Sequence, residues 1–492
     1  MKLFDIVVYL YNRKNNKRIK ERKSMVFSSF TFILYFLPVF LFIYYLVPDV
    51  CRNIVIFLGS LMFYYYGVRN CPIYVALMLF AVLINYVAAN RIEHSKSRIG
   101  ERVCLILGLL YNFGCLFAFK YLDFVSENIN RVLESFYTGI SLPYVELILP
   151  IGISFYTFQI SSYLVDVYRK EVPAERSILK LGTYLCMFPQ LIAGPIVTYS
   201  QVREQMTKRE YSFVNAEKGM REFTIGLASK VLIANRVGGL WTQIRTIGFE
   251  SISTPLAWLG IFAYTFQIYF DFYGYSLMAK GLGRIMGFTF PDNFYYPYMA
   301  TSMTEFWRRW HITLGSWFRD YVYIPLGGNR THQLLNLFLV WMFTGLWHGA
   351  SWNFVLWGLF CFLLVVIEKR GFGRILQKFS ILGHSYMFLM IPLSWLLFAI
   401  EDLGQLWIYL GRLFPFLGQP DSIVFAGDFI KYIRIYGLLL LVAGVCSTYL
   451  PKNIYRKTKY SFCMTLLLVI IFWACMYCIY QGMDDPFLYY QF

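Results

Sequence analysis

The stretch LLNLFLVWMFTGLWHGASWNFVLWGLFCFLLVVI, residues 334–367, contains no Asp, Glu, Lys or Arg and a single histidine, His348. At 1.5 Å per residue one helix of this length would run about 50 Å, against a bilayer hydrocarbon core of about 30 Å. The segment must therefore break, and Gly345 and Gly349, on either side of His348, mark the expected break. An ionisable side chain within so apolar a run is expensive and points to a functional site. The first expectation is thus an imidazole held at a helix break at membrane depth.

The rest of the chain agrees with this reading. Hydrophobic residues make up 58% and charged residues 15%, where a soluble chain carries about 25% charge. The fold class is therefore an all-α polytopic membrane protein. Apolar runs near 30–47, 54–68, 73–89, 103–119, 147–167, 179–197, 223–234, 256–269, 334–367, 386–400, 436–450 and 461–480, with a shorter one at 406–417, predict about eleven to thirteen membrane segments, some of them re-entrant. No internal repeat is visible, so the inverted halves of many transporters are absent from the pattern.

The net charge of +17 is spread over short loops. No compact basic domain exists to hold a nucleic acid, and cytoplasmic loops collect Lys and Arg in any multi-pass protein. The loop Arg91–Arg102 and the segment Arg169–Lys180 are placed inside on this basis. Three runs precede the first of these loops, which puts the amino terminus outside. Residues 1–24, however, carry eight Lys/Arg against two Asp/Glu, which belongs inside. Initiation at Met25 resolves the conflict and is the expectation adopted. Most of the ten cysteines lie in apolar runs and act as small hydrophobes. Cys475 and Cys478 form a CxxC, but inside the run 463–480, where a redox pair lacks access to solvent.

Residues 280–330 form the most polar long stretch of the middle of the chain, and they are also aromatic. Trp307, Trp310, Leu314, Trp317 and Tyr321 follow three-and-four spacing, which predicts one amphipathic helix over Thr304–Tyr321 in an interfacial layer. His311 falls on its apolar face, while Arg308, Arg309, Arg319 and Asp320 need water or partners. Asp166 is expected to pair with Arg169 at a membrane edge. Asp271, set among five aromatics, is expected to be tied to an arginine of the 308–319 helix. Pro189–Pro195 cannot be regular helix and is expected to turn back beside a cavity.

His311 and His348 are the two histidines of five that lie in apolar, Trp-rich surroundings. A neutral imidazole is a good general base for a hydroxyl acceptor. No GxSxG and no Cys beside a His supplies a nucleophile, so direct transfer is the economical mechanism. Two isolated histidines without HxxxH spacing make a poor zinc site, and no metal is expected.

Several of these segments together resemble the membrane-bound O-acyltransferase (MBOAT) family, and within it the bacterial polysaccharide branch that includes the membrane component of alginate O-acetylation. The likeness runs from Met25-Val26-Phe27-Ser28-Ser29-Phe30 to about Ile367. It rests on residues 150–159, Pro189–Pro195, Phe270-Asp271-Phe272, Asn293-Phe294, residues 306–314, residues 317–330 and Gly345-Leu346-Trp347-His348-Gly349. The resemblance implies a ring of tilted helices around a thinned, funnel-shaped centre. It implies His348 as catalytic base and His311 as the second active-site histidine, with Trp347 and Trp310 shaping a tunnel and Arg309, Asp271 and Asp320 in support.

It further implies a basic extension at 1–24, a catalytic core at 25–370 and C-terminal membrane helices at 371–492. No tightly bound cofactor is implied. The acyl donor is a thioester, acetyl-CoA or an acyl carrier, arriving from the cytoplasm of a bacterial cell. The expected partners are an extracytoplasmic acyltransferase, an acyl carrier protein and membrane lipids. The expected activity is acetyl transfer for O-acylation of an exported polysaccharide. D-alanyl transfer to teichoic acid is the nearest alternative, since Thr198, Tyr273 and Leu277 depart from the polysaccharide pattern. A proton-coupled lipid or glycan transporter using His348 as a relay is the alternative of another class.

Overall fold

The computed structural model describes residues 25–136, 139–192, 194–418, 424–482 and Leu488. The 1–24 extension discussed above lies outside the described residues. The regular elements described are all helical. The longer ones are α1 (Phe32–Leu46), α2 (Arg52–Gly67), α3 (Ile73–His94), α4 (Arg98–Lys120), α5 (Leu122–Ser135), α6 (Ile153–Tyr168) and α7 (Ile178–Cys186). Then follow α8 (Phe213–Ala228), α9 (Asn235–Ile247), α10 (Thr254–Ile285), α11 (Met303–Arg309), α12 (Ile312–Phe318), α13 (Gln333–His348) and α14 (Trp352–Ile367). The remainder are α15 (Ser380–Ala399), α16 (Leu403–Leu413), α17 (Asp428–Cys446), α18 (Leu450–Thr458) and α19 (Phe462–Tyr480).

Six helices are long and apolar enough to cross a bilayer alone: α3, α4, the α14 helix with its continuation to Lys378, α15, α17 and α19. Other expected runs form shorter helices, such as α2 and α6, and α10 extends over 32 residues.

The basic loops gather on one face. Tyr86 donates to the Arg176 carbonyl at 2.9 Å, the Ala174 amide donates to Glu93 at 3.2 Å, and Arg169 donates to the Asp320 carbonyl at 3.1 Å. By the excess of Lys and Arg this face is cytoplasmic. The other face holds α5, the 139–150 segment and the turn between α13 and α14. There Trp352 donates to Asn128 at 2.9 Å, and the Val145 amide donates to Asp123 at 2.8 Å.

The uncharged stretch does break, as its length requires, but only on one side of His348. Gly345 lies within continuous helix; α13 ends at His348, and Gly349–Ser351 form the turn to α14. Gly345 serves close approach instead. A Cβ there would lie 2.4 Å from the Phe354 carbonyl oxygen, and one at Gly358 would lie 2.5 Å from that of Trp341. Backbones so near one another are a common solution where helices must associate inside a membrane.

The Thr304–Tyr321 segment is not one helix. α11 ends at Arg309, His311 adopts a left-handed backbone (φ 46°, ψ 52°), and α12 starts at Ile312. The extended residues 293–295 take over the backbone bonds at the break. The Ile312 amide donates to the Asn293 carbonyl, and the Tyr295 amide to that of Arg309, both at 2.9 Å. Phe306, Trp310, His311 and Phe318 are buried by the surrounding protein, and the two helices form a short hairpin whose arms of seven residues reach about 10 Å. Such irregular backbone is stable at membrane depth only when protein surrounds it.

Residues 189–195 are not one regular helix. A four-residue helix at Phe188–Leu191 gives way to non-helical backbone, and Pro189, Gln190, Gly194 and Pro195 are all buried.

Candidate active site

The two hairpins bring the two embedded histidines together. His311 sits at the tip of α11–α12, and His348 at the far end of α13, about 24 Å along that helix. Both are buried. Trp347 lies between them, its ring centroid 5.9 Å from that of His311 and 4.9 Å from that of His348. Phe272 meets His311 edge-on at 4.7 Å, and Trp357 and Phe398 meet His348 edge-on at 5.0 Å each. Aromatic walls of this kind exclude water while leaving the imidazole nitrogens as the polar groups of the site.

The tautomer of His311 is fixed by its surroundings. Asn293 Oδ1 lies 3.0 Å from His311 Nδ1, and it also accepts from the Thr313 hydroxyl at 2.9 Å and the Thr313 amide at 3.3 Å. Thr313 Oγ1 in turn accepts from the Ile196 amide at 3.0 Å, directly after the 189–195 turn. Every contact to this oxygen is with a donor, so Nδ1 carries the proton. His311 Nε2 then presents a lone pair, and it has no hydrogen-bond partner among the described residues. Asn293 and Thr313 are therefore part of the site, although sequence reasoning gave neither a role. The only available signal was the Asn293-Phe294 pair within the family likeness.

Replacing Asn293 with Ala should free the His311 ring to change tautomer and tilt. The expected result is a loss of about 10²-fold in acyl transfer, the cost of an ångström-scale misplacement. Acyl transfer per unit of folded protein checks this, and unchanged transfer would remove Asn293 from the site.

A cavity of about 670 Å³ opens beside this network. Its lining includes Asp166, Arg169, Thr198, Thr313, Trp317 and Asp320. Arg169 and Asp320 place it on the cytoplasmic side, and Ile312 and Thr313 place its inner wall next to His311. Asp166 is not paired with Arg169 as expected. It accepts from the Tyr321 hydroxyl at 2.7 Å, while Arg169 donates to the Asp320 carbonyl. The reason is geometric: α6 buries Asp166 against the end of the short hairpin, and Arg169 lies beyond its last turn.

The other expected site residues are spread more widely. Trp310 packs on Phe294 at 5.0 Å and Trp395 at 4.7 Å, behind the hairpin tip. Arg309 binds Glu305 and Tyr449, and so braces α11 from the cytoplasmic side. Asp320 chelates Arg319 at 2.7 and 2.9 Å and lines the cavity. Asp271 is tied to Lys230 at 2.5 Å, not to an arginine of the 308–319 segment, and it accepts from the Leu488 amide at 2.8 Å. Its influence on the site passes through its neighbour Phe272, which touches His311.

Comparison with known proteins identifies related chains. Residues 167–400, which hold both histidines and the cavity, match the model of the membrane-bound O-acyltransferase family. The chain is 39% identical to a probable alginate O-acetylase of Pseudomonas aeruginosa, over 80% of this chain and 75% of that protein. It is 34% identical to a peptidoglycan O-acetyltransferase of Helicobacter pylori, over 77% of this chain and 78% of that protein. A teichoic acid D-alanyltransferase of Streptococcus thermophilus is 26% identical over 70% of this chain and 94% of that protein. With its apolar spans and this breadth of likeness, the chain is a multi-pass acyltransferase and belongs to the membrane-bound O-acyltransferase family.

Proposed function

We propose that this protein moves an acetyl group from a cytoplasmic thioester to a hydroxyl on the far side of the membrane, for O-acetylation of an exported or cell-surface polysaccharide. The observation that carries the proposal is the meeting of His311 and His348 across Trp347, with a polar cytoplasmic cavity ending at Thr313. The thioester, carried by coenzyme A or by a carrier protein, enters by that cavity. His348 removes the proton from the acceptor hydroxyl. The oxygen attacks the thioester carbonyl, the carbon–sulfur bond breaks, and the thiolate leaves and takes up a proton. His311, with its proton held on Nδ1, offers Nε2 as an acceptor and orients the donor arm.

The acceptor is a polymer hydroxyl or a hydroxyl of an extracytoplasmic transferase that passes the group on. The names of the nearer relatives support acetyl over D-alanyl transfer, since the D-alanyltransferase is the more distant of the three.

The test is the base-labile ester on exported polymer from cells lacking the gene, with and without the restored protein. Acetate released only with the protein present is expected. D-alanine would move the protein to the teichoic-acid reaction. No ester of either kind, with solute uptake or flipping that follows a proton gradient, would replace the proposal by the transporter reading.

A further inference from the structure

We propose that Lys120 is a positioning residue for His348, clamping the open end of the helix that carries it. The inference rests on the proposed role of His348 as base. A helix leaves its last carbonyls without intrahelical partners, and at membrane depth each one must find a donor. At the end of α13 every one of them does. The Gly345 carbonyl takes the Gly349 amide at 3.4 Å, and the Leu346 carbonyl takes the Tyr121 hydroxyl at 2.8 Å. The Trp347 and His348 carbonyls both take Lys120 Nζ, the latter at 3.0 Å. The cap is thus built from two consecutive residues at the outer end of α4, a helix packed nowhere near α13 in sequence.

Two further observations set Lys120 apart. No ion pair of Lys120 is found among the described residues, and its Nζ donates to the two carbonyls at the negative end of α13. It also stands at the outer end of its span, where the bias that places lysine on the cytoplasmic side works against it. A cation kept in that position needs a specific partner, and the partner here is the backbone of the proposed base. The imidazole of His348 is packed by Trp357 and Phe398. Its main chain is fixed by Lys120.

The experiment measures the initial rate of ester accumulation per folded protein in cells lacking the gene. It compares Lys120→Met, Lys120→Arg and Tyr121→Phe, with wild type and His348→Ala as references, and folded protein is quantified by size-exclusion profile after extraction. Lys120→Met should lose about 10²-fold, as expected for a displaced catalytic group. Lys120→Arg keeps charge and donors and should recover to within about tenfold of wild type. Tyr121→Phe, which removes one neutral cap, should lose about tenfold or less.

Lys120→Met within about twofold of wild type, with His348→Ala inactive, overturns the inference and leaves the role of His348 standing. Lys120→Arg as inactive as Lys120→Met overturns it too. If Lys120→Met does not fold, the Arg and Tyr121→Phe variants decide by the same rates. Full activity of His348→Ala is a separate result, which would end the general-base reading itself.

Discussion

Replacing His348 with Ala should lower polymer ester by about 10³-fold at matched membrane levels, since a positioned general base contributes roughly 10²–10⁴-fold. The expectation is large because the neighbouring groups are poor substitutes for a base at this position. Among the described residues the ring packs against Trp347, Phe354, Trp357 and Phe398, which are not bases. His311 has a lone pair at Nε2, but in the proposed mechanism that atom is taken by the donor arm, and its ring is held in place through Nδ1 by Asn293. Lys120 is occupied by main-chain carbonyls. His348→Gln, closer in volume, should fail as well, which separates lost proton transfer from a packing defect. Ester at the wild-type level in both variants would remove His348 from the chemistry and favour a scaffold or transport role.

Replacing Lys230 with Met should destabilise the protein by about 3–5 kcal/mol, the usual result of stranding one member of a buried ion pair. Lys230 and Asp271 are 4% and 2% exposed and meet at 2.5 Å. The pair joins α10 to the irregular turn Ser229–Ala234 that follows α8. The helices come unusually close just there: a Cβ on Gly274 would lie 2.6 Å from the Gly226 carbonyl oxygen, and the reverse distance is the same. No room exists for water to solvate an orphaned carboxylate. Removing both charges, as Lys230→Met with Asp271→Leu, should recover much of the loss. Thermal unfolding of the extracted protein checks this, and equal unfolding temperatures for the single and double variants would refute it. Activity should fall with the single variant too, because Phe272 follows Asp271 and packs on His311.

The parts legible in the sequence were those governed by length and solvation. Residues 334–367 are too long and too apolar for one span, so a break near His348 followed from arithmetic. What stayed hidden depended on partners distant along the chain. The spacing of Trp307, Trp310, Leu314, Trp317 and Tyr321 satisfies a single helix. The left-handed turn at His311 is set by backbone bonds from residues 293 and 295, which no local pattern reports. The local sequence offers Asp271 the arginines of 308–319, whereas its partner is Lys230 on a neighbouring helix. Asp166 likewise found a tyrosine hydroxyl where an arginine stood closer in sequence. Lys120 lies just past the apolar run 103–119, and only the end of α13 reveals what it holds. The apolar, Trp-rich surroundings of His311 and His348 marked both histidines, whereas Asn293 was present only as part of the family likeness, without a role.

The aromatic packing around the two histidines has a consequence beyond the reaction. The protein carries a polar cavity that ends at Thr313, and the proposed reaction requires an acceptor to enter from the other side. Two such approaches, if joined by water, would form a leak for ions. Trp347, Phe272, Trp357 and Phe398 stand where they would meet, all of them buried. On the proposed mechanism, the same rings that would keep water from a thioester would also insulate one compartment from the other, so that an acyl group could change sides while the voltage across the membrane stays intact.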